Sequence, residues 1–391
     1  MPTVDAPRTP LQRITFALVC LSVVTLLVSI AASQMFLALA AVALAGDGVR
    51  ARRWPLAAPP ILLPLGLFAL WTLLAVAFSD QPIVSVHALK KFLPFASMFL
   101  LYSTLRTFRE GDRLLRAALL AGSSSAALAL IQFSAIGVDW LNRATGWMSH
   151  WMTLAGQLMI LLVVALSWIL FAGDRARWWG VPAAGAMAGG LVVSLTRNAW
   201  LGALAGLFAV VALRRRMSVL LLVALLPLVL ILPASLQERL RAGFDLQDAT
   251  TAGRLAIART GLRMIADHPW FGVGPRRVMV ESPHYFDPGN TYPAWSYMHL
   301  HNNYLQIAAE RGIPALLLWL WLMARFGWDS IGHWRRAAGS RRYPAVAAFG
   351  TLVAFLVAGL LEYNFGDYEV VTLFLAVLTI PYAIDRSAAA A

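Results

Sequence analysis

Residues 152–172, which read MTLAGQLMILLVVALSWILFA, carry no acidic and no basic side chain over 21 positions. An α-helix needs about 20 apolar residues to cross the roughly 30 Å of hydrocarbon in a bilayer. The whole chain shares this character, since 60% of its 391 residues are hydrophobic and 13% are charged. Soluble domains average about 45–50% apolar and 25% charged residues. The composition therefore excludes a soluble globular protein and predicts an all-α integral membrane protein.

Outward from this run, further segments with few charges predict about 12 transmembrane helices in all. The predicted spans lie near 14–32, 33–45, 60–78, 86–103, 117–137, 152–172, 178–194, 199–213, 217–233, 303–323, 344–361 and 369–384. The run at 33–45 is short for a crossing. It is retained because basic clusters flank the first two runs, and an even number of crossings must separate two clusters on the same side of the membrane.

The 32 basic residues give a net charge of +13 and recur in short clusters between the apolar runs. Polytopic membrane proteins orient themselves in this way, whereas a nucleic-acid-binding domain carries a basic stripe on one face. The positive-inside rule therefore predicts that both termini are cytoplasmic. The chain has one cysteine, Cys20, so neither a disulfide framework nor a cysteine-based metal site is expected.

One connection is too long for a hairpin, and it divides the chain into three predicted parts. Residues 1–233 hold transmembrane helices 1–9, residues 234–302 form a loop domain on the outer side, and residues 303–391 hold helices 10–12 and a cytoplasmic tail. Within the loop, residues 252–267 predict a helix that ends before Pro269. A loop of this length is expected to have a function at the outer surface.

Polar side chains near the outer edge of the membrane are costly, so the ones that remain are functional candidates. Lys90 and Lys91 enter the fourth predicted span from outside, where lysines either reach towards lipid headgroups or bind substrate by attracting an anionic lipid head. Arg197 lies in a short outer turn between two spans and Arg143 in another short outer connection. We expect Arg197 to bind an anion and Arg143 to contact substrate.

His301 opens the tenth predicted span, and an imidazole can take a proton from a hydroxyl near neutral pH. We therefore predict that His301 is a general base and that His299 and Asn302 contact substrate. No His-Glu-x-x-His motif and no acidic cluster of ligand spacing accompanies the His-x-His pair, so no metal is expected. Glu310 and Arg311 are adjacent in the same helix and are expected to have a structural role, in which they satisfy each other or a neighbouring helix.

Other chemistries lack their motifs. The chain has no Gly-x-x-x-x-Gly-Lys-Ser/Thr loop, so ATP hydrolysis is not expected. The Asp-x-Asp metal motif of soluble nucleotide-sugar transferases is also absent. Residues 269–274 contain Gly-x-Gly but follow a helix and not a strand, which predicts a turn and not a phosphate loop.

Several segments carry a resemblance to a known family. They are Ser194-Leu195-Thr196-Arg197 after a span, Arg254 at the start of a helix, Pro269-Trp270-Phe271-Gly272-Val273-Gly274, and His301-Asn302-Asn303-Tyr304-Leu305-Gln306 leading to Glu310-Arg311-Gly312. Together they resemble the O-antigen ligase family. Its superfamily includes O-antigen polymerase-like proteins and bacterial protein O-oligosaccharyltransferases. Where family patterns often have a second glycine after the Glu-x-Gly turn, this chain has Pro314.

The resemblance implies a C-type glycosyltransferase-like architecture. It also implies transfer of a glycan from undecaprenyl pyrophosphate to a sugar hydroxyl of lipid A-core, at the periplasmic face of a Gram-negative inner membrane. Arg197 and Arg254 would neutralise the pyrophosphate leaving group, and His301 would be the general base of an inverting reaction without metal or cofactor. Membrane lipids are further expected partners, and nucleic acid is not.

Two alternatives stay open at this point. A polymerase or a protein O-oligosaccharyltransferase of the same superfamily would differ only in its acceptor. A non-catalytic transporter of lipid-linked sugars would also suit about twelve spans. Transporters bind their substrates near the membrane midplane, however, whereas the polar candidates in this sequence gather at the outer face.

Overall fold

The computed structural model describes residues 8–52, 54, 56–137, 143–173, 177–214, 249–289, 292 and 298–389. Within these ranges all regular structure is helical, which confirms the all-α class. The α-helices described are, in chain order, α1 (Pro10–Thr25), α2 (Ile30–Ala51), α3 (Leu62–Ala77), α4 (Pro82–Ser85), α5 (Leu93–Thr104), α6 (Phe108–Ile136), α7 (Trp151–Phe171), α8 (Arg177–Val193), α9 (Arg197–Arg214), α10 (Ala249–Asp267), α11 (Val278–Glu281), α12 (Asn303–Arg336), α13 (Tyr343–Ala358) and α14 (Tyr368–Ala389). Short 3₁₀ helices cover Val86–Phe92, Ser282–Tyr285, Gly339–Arg342 and Asn364–Gly366.

Among the described residues, seven helical segments are long and apolar enough to cross a membrane. They are Ile30–Ala51, Pro82–Thr104, Phe108–Ala135, Trp151–Phe171, Asn303–Arg336, Gly339–Ala358 and Tyr368–Ser387, and shorter apolar helices cover Pro10–Thr25, Leu62–Ala77 and Trp178–Val193. The membrane character inferred from composition is confirmed. The number of about 12 spans stays a prediction, and the predicted span at 217–233 lies outside the described residues.

Capping residues move two helix starts away from the positions that hydropathy predicts. Ser29 accepts a backbone hydrogen bond of 3.4 Å and begins α2, so the crossing predicted at 33–45 is a helix of 22 residues. Thr107 and Glu110 form a capping box that begins α6 well before the predicted start of that span. Hydropathy misses such starts because a hydrogen bond to the side chain of the cap residue, and not the apolar run, decides where the helix begins.

Close packing of α9 against α13 depends on glycine. A Cβ atom added at Gly202 would lie 2.7 Å from the carbonyl oxygen of Ala354, and one at Gly206 would lie 2.8 Å from that of Gly350. Small residues let two backbones approach where lipid gives no hydrophobic drive for association. The other side of this pair is closed by α7, whose side chains are buried along most of its length.

The long helix α12 is interrupted at Gly312, where φ is 81° and ψ is 168°. Pro314 follows two residues later and has no N–H to donate within the helix. Such an interruption leaves backbone donors and acceptors of the helix without their usual partners. Near a membrane these groups must be satisfied by other parts of the protein.

Residues 269–274, which we call the docking turn, supply those partners. The N–H of Ile313 donates to the carbonyl of Pro269 at 2.8 Å, and the N–H of Val273 donates to the carbonyl of Ala309 at 2.8 Å. The turn and the interrupted helix thus exchange backbone hydrogen bonds in both directions. This contact explains why a Gly-rich turn and a Glu-Arg-Gly sequence occur in one chain.

Aromatic side chains attach the docking turn to α3. Phe271 stacks on Trp71 with ring centroids 5.4 Å apart and on Phe78 with centroids 4.4 Å apart. The indole N–H of Trp71 donates to the carbonyl of Arg311 at 3.1 Å, just before the interruption. Helix α3, the docking turn and α12 therefore form one rigid junction.

Helix α10 confirms the helix predicted at 252–267 and leads directly into the docking turn. Ile257 and Met264 on one face of α10 form a small hydrophobic core with Val273 and Leu300. Gly261 allows close contact with Leu300, since a Cβ there would lie 2.8 Å from its side chain. This core fixes α10 beside the start of α12.

We predict that Gly312→Ala destabilises the protein by about 2 kcal/mol or more. The added Cβ would lie 1.8 Å from the carbonyl oxygen of Trp270, at a backbone conformation that L-residues rarely adopt. Thermal unfolding of the detergent-purified protein, followed by tryptophan fluorescence, measures the loss. The matched control is Gly185→Ala, where nothing lies within 4 Å of an added Cβ, and equal melting temperatures for the two variants would contradict the junction.

Candidate active site

The segment before α12 is held by its own side chains. Gln306 accepts a hydrogen bond from the N–H of Leu300 at 2.8 Å, and Nδ1 of His299 accepts one from the N–H of His301 at 3.2 Å. His301 has a left-handed backbone with φ 48°, which is costly for a residue with a side chain. The surrounding hydrogen bonds therefore impose the position of the His301 imidazole.

Asn302 and Asn303 hold a second segment beside His301. Asn302 caps α12 by accepting from Tyr304 N at 2.8 Å, and its amide donates to the carbonyl of Leu360 at 2.8 Å. Asn303 accepts from Phe365 N at 3.0 Å. Both asparagines thus bind the turn between α13 and α14, residues 359–366. Since both ends of the Asn302 side chain are engaged, the structure gives it a capping role, and its contact with substrate stays a prediction.

The 359–366 turn brings Glu362 to His301. The two carboxylate oxygens lie 3.1 and 3.0 Å from Nδ1 of His301, and one of them accepts from the N–H of Tyr363 at 2.9 Å. Burial would raise the pKa of Glu362, but the hydrogen bond and charge of His301, with the charge of His299, lower it to about 2. Glu362 is therefore an ionised carboxylate, although only 5% of it is exposed.

Arg254 reaches the same carboxylate from α10, with Nη2 3.9 Å from an oxygen of Glu362. Burial lowers the pKa of Arg254, Glu362 opposes this, and the charge of Arg197 lowers it further. His301 and Arg254, which are 47 positions apart in the chain, thus meet at one side chain.

Two further guanidinium groups act on this centre. Burial lowers the pKa of Arg143, and repulsion by Arg197 and Arg254 lowers it further. Arg143 also lies over the ring of Trp151, 4.9 Å from its centroid. Arg197 is the first residue of α9, after a turn in which Leu195 has φ 52°. Three arginines from separate segments are therefore close enough to repel one another.

The two lysines predicted to bind substrate have different surroundings in the structure. Lys91 donates to the hydroxyl of Tyr363 at 2.8 Å, and its ammonium lies 4.4 Å from the centre of that ring. Lys90 is exposed. The described contacts therefore join Lys91 to the site, and contact of Lys90 with substrate stays a prediction.

A cavity of about 500 Å³ opens beside Glu362. Its polar lining carries both signs of charge and includes Lys91, Arg276, His299, Glu310, Glu362 and Asp367. Exposed apolar side chains, Met279, Val280 and Met298, also line it. Convergent polar groups with an apolar edge are typical of a small-molecule binding site.

Glu310 and Arg311 satisfy each other in a buried ion pair, as expected. Glu310 also accepts from Nε2 of Gln306 at 3.0 Å and from the N–H of Arg276 at 3.1 Å. The pair thus stabilises the segment between the active-site residues and the interruption at Gly312.

His299, His301 and Glu362 offer ligand atoms within 4.8 Å of one another, a geometry that could hold a metal ion. The spacing of ligands in the sequence does not reveal this group, because its carboxylate, Glu362, comes from 61 positions beyond His301. Two contacts favour direct pairing of carboxylate and imidazole. Nδ1 of His299 already accepts from His301 N, and Arg254 lies 3.9 Å from Glu362. A metal-independent centre stays a prediction.

Sequence reasoning missed Glu362 and Tyr363. Both follow the span predicted at 344–361, and the predicted topology places that connection on the outer side together with His301. The signal that could have identified Glu362 is its position, since it is a carboxylate in a short loop predicted to lie on the same side of the membrane as His301.

The fold and the site define a class, namely a polytopic membrane protein with an imidazole–carboxylate pair and clustered guanidinium groups at one end of its helices. Residues 182–320 match the model of the O-antigen ligase family, which confirms the resemblance found in the sequence. The match supports a ligase-like or polymerase-like transferase role. It includes Arg197, Arg254 and His301, and leaves Arg143 and Glu362 outside. No curated protein matches the chain.

The state of His299 gives a testable pH dependence. Burial, followed by the charge of His301, lowers the pKa of His299 from 6.5 to about 4. Between these values the unfolded chain binds a proton that the folded protein does not, so stability falls as the pH drops from 7 towards 4. For a change from pH 7 to 5 this amounts to ~1–2 kcal/mol.

We predict that His299→Asn loses less thermal stability than the parent when the pH is lowered from 7 to 5, because asparagine keeps an acceptor for His301 N and does not titrate. Melting temperatures at the two pH values measure this. His284→Asn is the control, since the His284 side chain is 73% exposed. An acid-induced drop in His299→Asn as large as in the parent would contradict the assignment.

Proposed function

We propose that the protein is an O-antigen ligase. It transfers an O-antigen glycan from undecaprenyl pyrophosphate to a hydroxyl of lipid A-core, with inversion and without a metal, at the periplasmic face of a Gram-negative inner membrane. The observation that carries the proposal is that His301 and Arg254 meet at the carboxylate of Glu362, with Arg143 and Arg197 close by. A base and an anion-binding cluster are the two elements that this reaction requires.

The arginines are proposed to bind the pyrophosphate of the donor. As the glycosidic bond breaks, its electron pair passes to the phosphate oxygen, and the leaving group gains negative charge. Guanidinium groups bind phosphate oxygens in pairs and can stabilise that charge where other enzymes use a divalent cation. The mutual repulsion of Arg143, Arg197 and Arg254 supports this role, because a multiply charged anion would relieve it.

His301 is proposed to activate the acceptor. Its Nδ1 faces Glu362, so Nε2 is the atom that takes the proton from the acceptor hydroxyl. The hydroxyl oxygen then forms the new bond to the anomeric carbon on the face opposite the pyrophosphate, which inverts that centre. Both substrates are anchored in the same membrane, and this restriction lowers the entropic cost of bringing them together.

The remaining predicted contacts fit around this pair. Arg143 lies with the donor-binding arginines, and Lys91 lies on the cavity of about 500 Å³ that we assign to the sugars. His299 and Asn302 are proposed to act mainly by positioning His301. In the proposed topology both termini are cytoplasmic, and the parts 1–233, 234–302 and 303–391 are a first set of spans, a periplasmic loop domain and a second set of spans.

An O-antigen polymerase or a protein O-oligosaccharyltransferase would use the same base and the same arginines with another acceptor. A non-catalytic transporter fits the geometry less well. A transporter site is expected near the membrane midplane, whereas this site lies where α12 and α14 begin and α13 ends.

Reconstitution tests the reaction and its acceptor. Purified protein is incubated with lipid-linked O-antigen and, separately, lipid A-core, a growing lipid-linked glycan and an acceptor peptide. We expect transfer to lipid A-core and a loss of at least about 100-fold with His301→Ala, since the base is removed. Donor binding to this variant should persist. Transfer to the growing glycan alone would replace the ligase by a polymerase, and binding without transfer to any acceptor would favour the transporter.

Chelation tests the metal-independent mechanism. We expect the transfer rate to be unchanged after treatment with EDTA and dialysis, because the arginines provide the charge that a cation would supply. Metal content of the purified protein, measured by elemental analysis, is the companion readout. Loss of activity that a divalent cation restores would contradict the proposal and assign a metal to His299, His301 and Glu362.

A further inference from the structure

Glu362 is held in place independently of the arginines. Its backbone lies in the 359–366 turn, which the two asparagines at the start of α12 bind, and one carboxylate oxygen accepts from Tyr363 N at 2.9 Å. A carboxylate oxygen of Glu362 lies 3.0 Å from Nδ1 of His301 and 3.9 Å from Nη2 of Arg254. The second distance is too long for a hydrogen bond. The geometry thus directs the carboxylate to the imidazole first.

An ionised carboxylate accepts hydrogen bonds and cannot donate them. The neutral imidazole of His301 must therefore carry its proton on Nδ1, which leaves the lone pair on Nε2. Without this partner the hydrogen bond that selects Nδ1 as the protonated nitrogen would be lost. Since only one tautomer can receive a proton at Nε2, the position of Glu362 decides whether His301 is competent.

We propose that Glu362 is a positioning residue for the transfer reaction, one that fixes the tautomer and orientation of His301 and stabilises the imidazolium formed when Nε2 takes the acceptor proton. This inference rests on the proposed function. Glu362 stays ionised throughout, and the proton leaves Nε2 for solvent or the released pyrophosphate. The step needs no further reactant.

The test compares three side chains at one position. Glu362→Gln keeps the shape and removes the charge, and Glu362→Asp keeps the charge and shortens the side chain by one carbon. We expect kcat, normalised to the number of donor-binding sites, to fall by about 100-fold in Glu362→Gln and by about tenfold in Glu362→Asp. KM for the donor should change by less than about threefold in both. Asp80→Asn, at an exposed carboxylate, is the matched control and should behave like the parent.

A purely structural role predicts the opposite order, because glutamine replaces the volume of glutamate better than aspartate does. If Glu362→Gln retains more activity than Glu362→Asp, the positioning role is wrong. If Glu362→Gln changes KM for the donor and leaves kcat unaltered, Glu362 serves as the counter-ion of Arg254 instead.

A second measurement does not depend on the substrate. Solid-state NMR of ¹⁵N-histidine-labelled protein in lipid, with His301→Ala for assignment, identifies which nitrogen of His301 is protonated. We expect the Nδ1–H tautomer in the parent at pH 8. Protonation at Nε2 would overturn the inference whatever the activity. Absence of transfer to every acceptor, with Nδ1–H present, would refute the proposed function and leave the pairing of Glu362 with His301 established.

Discussion

The exchange of backbone hydrogen bonds at the interruption of α12 is the constraint on which the site depends. A helix broken near a membrane exposes donors and acceptors that cost several kcal/mol when they have no partner. Ile313 and Ala309 find theirs in the docking turn, and that turn is the direct continuation of α10. Arg254 lies on α10 and His301 precedes α12, so one backbone contact fixes their relative position.

At the centre the buried carboxylate of Glu362 lies among several positively charged side chains. Glu362 pairs with His301 and neighbours Arg254, and Arg143, Arg197 and Arg254 lie close enough to repel one another. In a region of low dielectric such an arrangement favours a multiply charged anion over water. The same burial keeps His299 neutral, and His299 can therefore accept a hydrogen bond from the backbone of His301. Charge and geometry at the imidazole are thus set together.

Hydropathy predicts where apolar helices lie, because each span must contain enough consecutive apolar residues to cross the bilayer. It does not predict helix starts such as Ser29 and Thr107, where a single side-chain hydrogen bond decides. The sequence marks Arg254 as a polar group on the outer side of the membrane, and the family resemblance adds its expected role at the leaving group. Glu362 was missed because its partner is 61 positions away. The sequence also does not show which of Lys90 and Lys91 contacts the site, because the 3₁₀ helix that carries them determines where each side chain points.

The order of the active-site groups along the chain has a consequence for biogenesis. Glu362 and Tyr363 come after His301 and the three arginines in the chain and lie in the turn that precedes α14, the last helix described. While the polypeptide is being inserted, His301 lacks the Glu362 carboxylate until the 359–366 turn has been synthesised and brought to the site. Under the proposed function, a nascent chain would accordingly have little transfer activity before the 359–366 turn is in place.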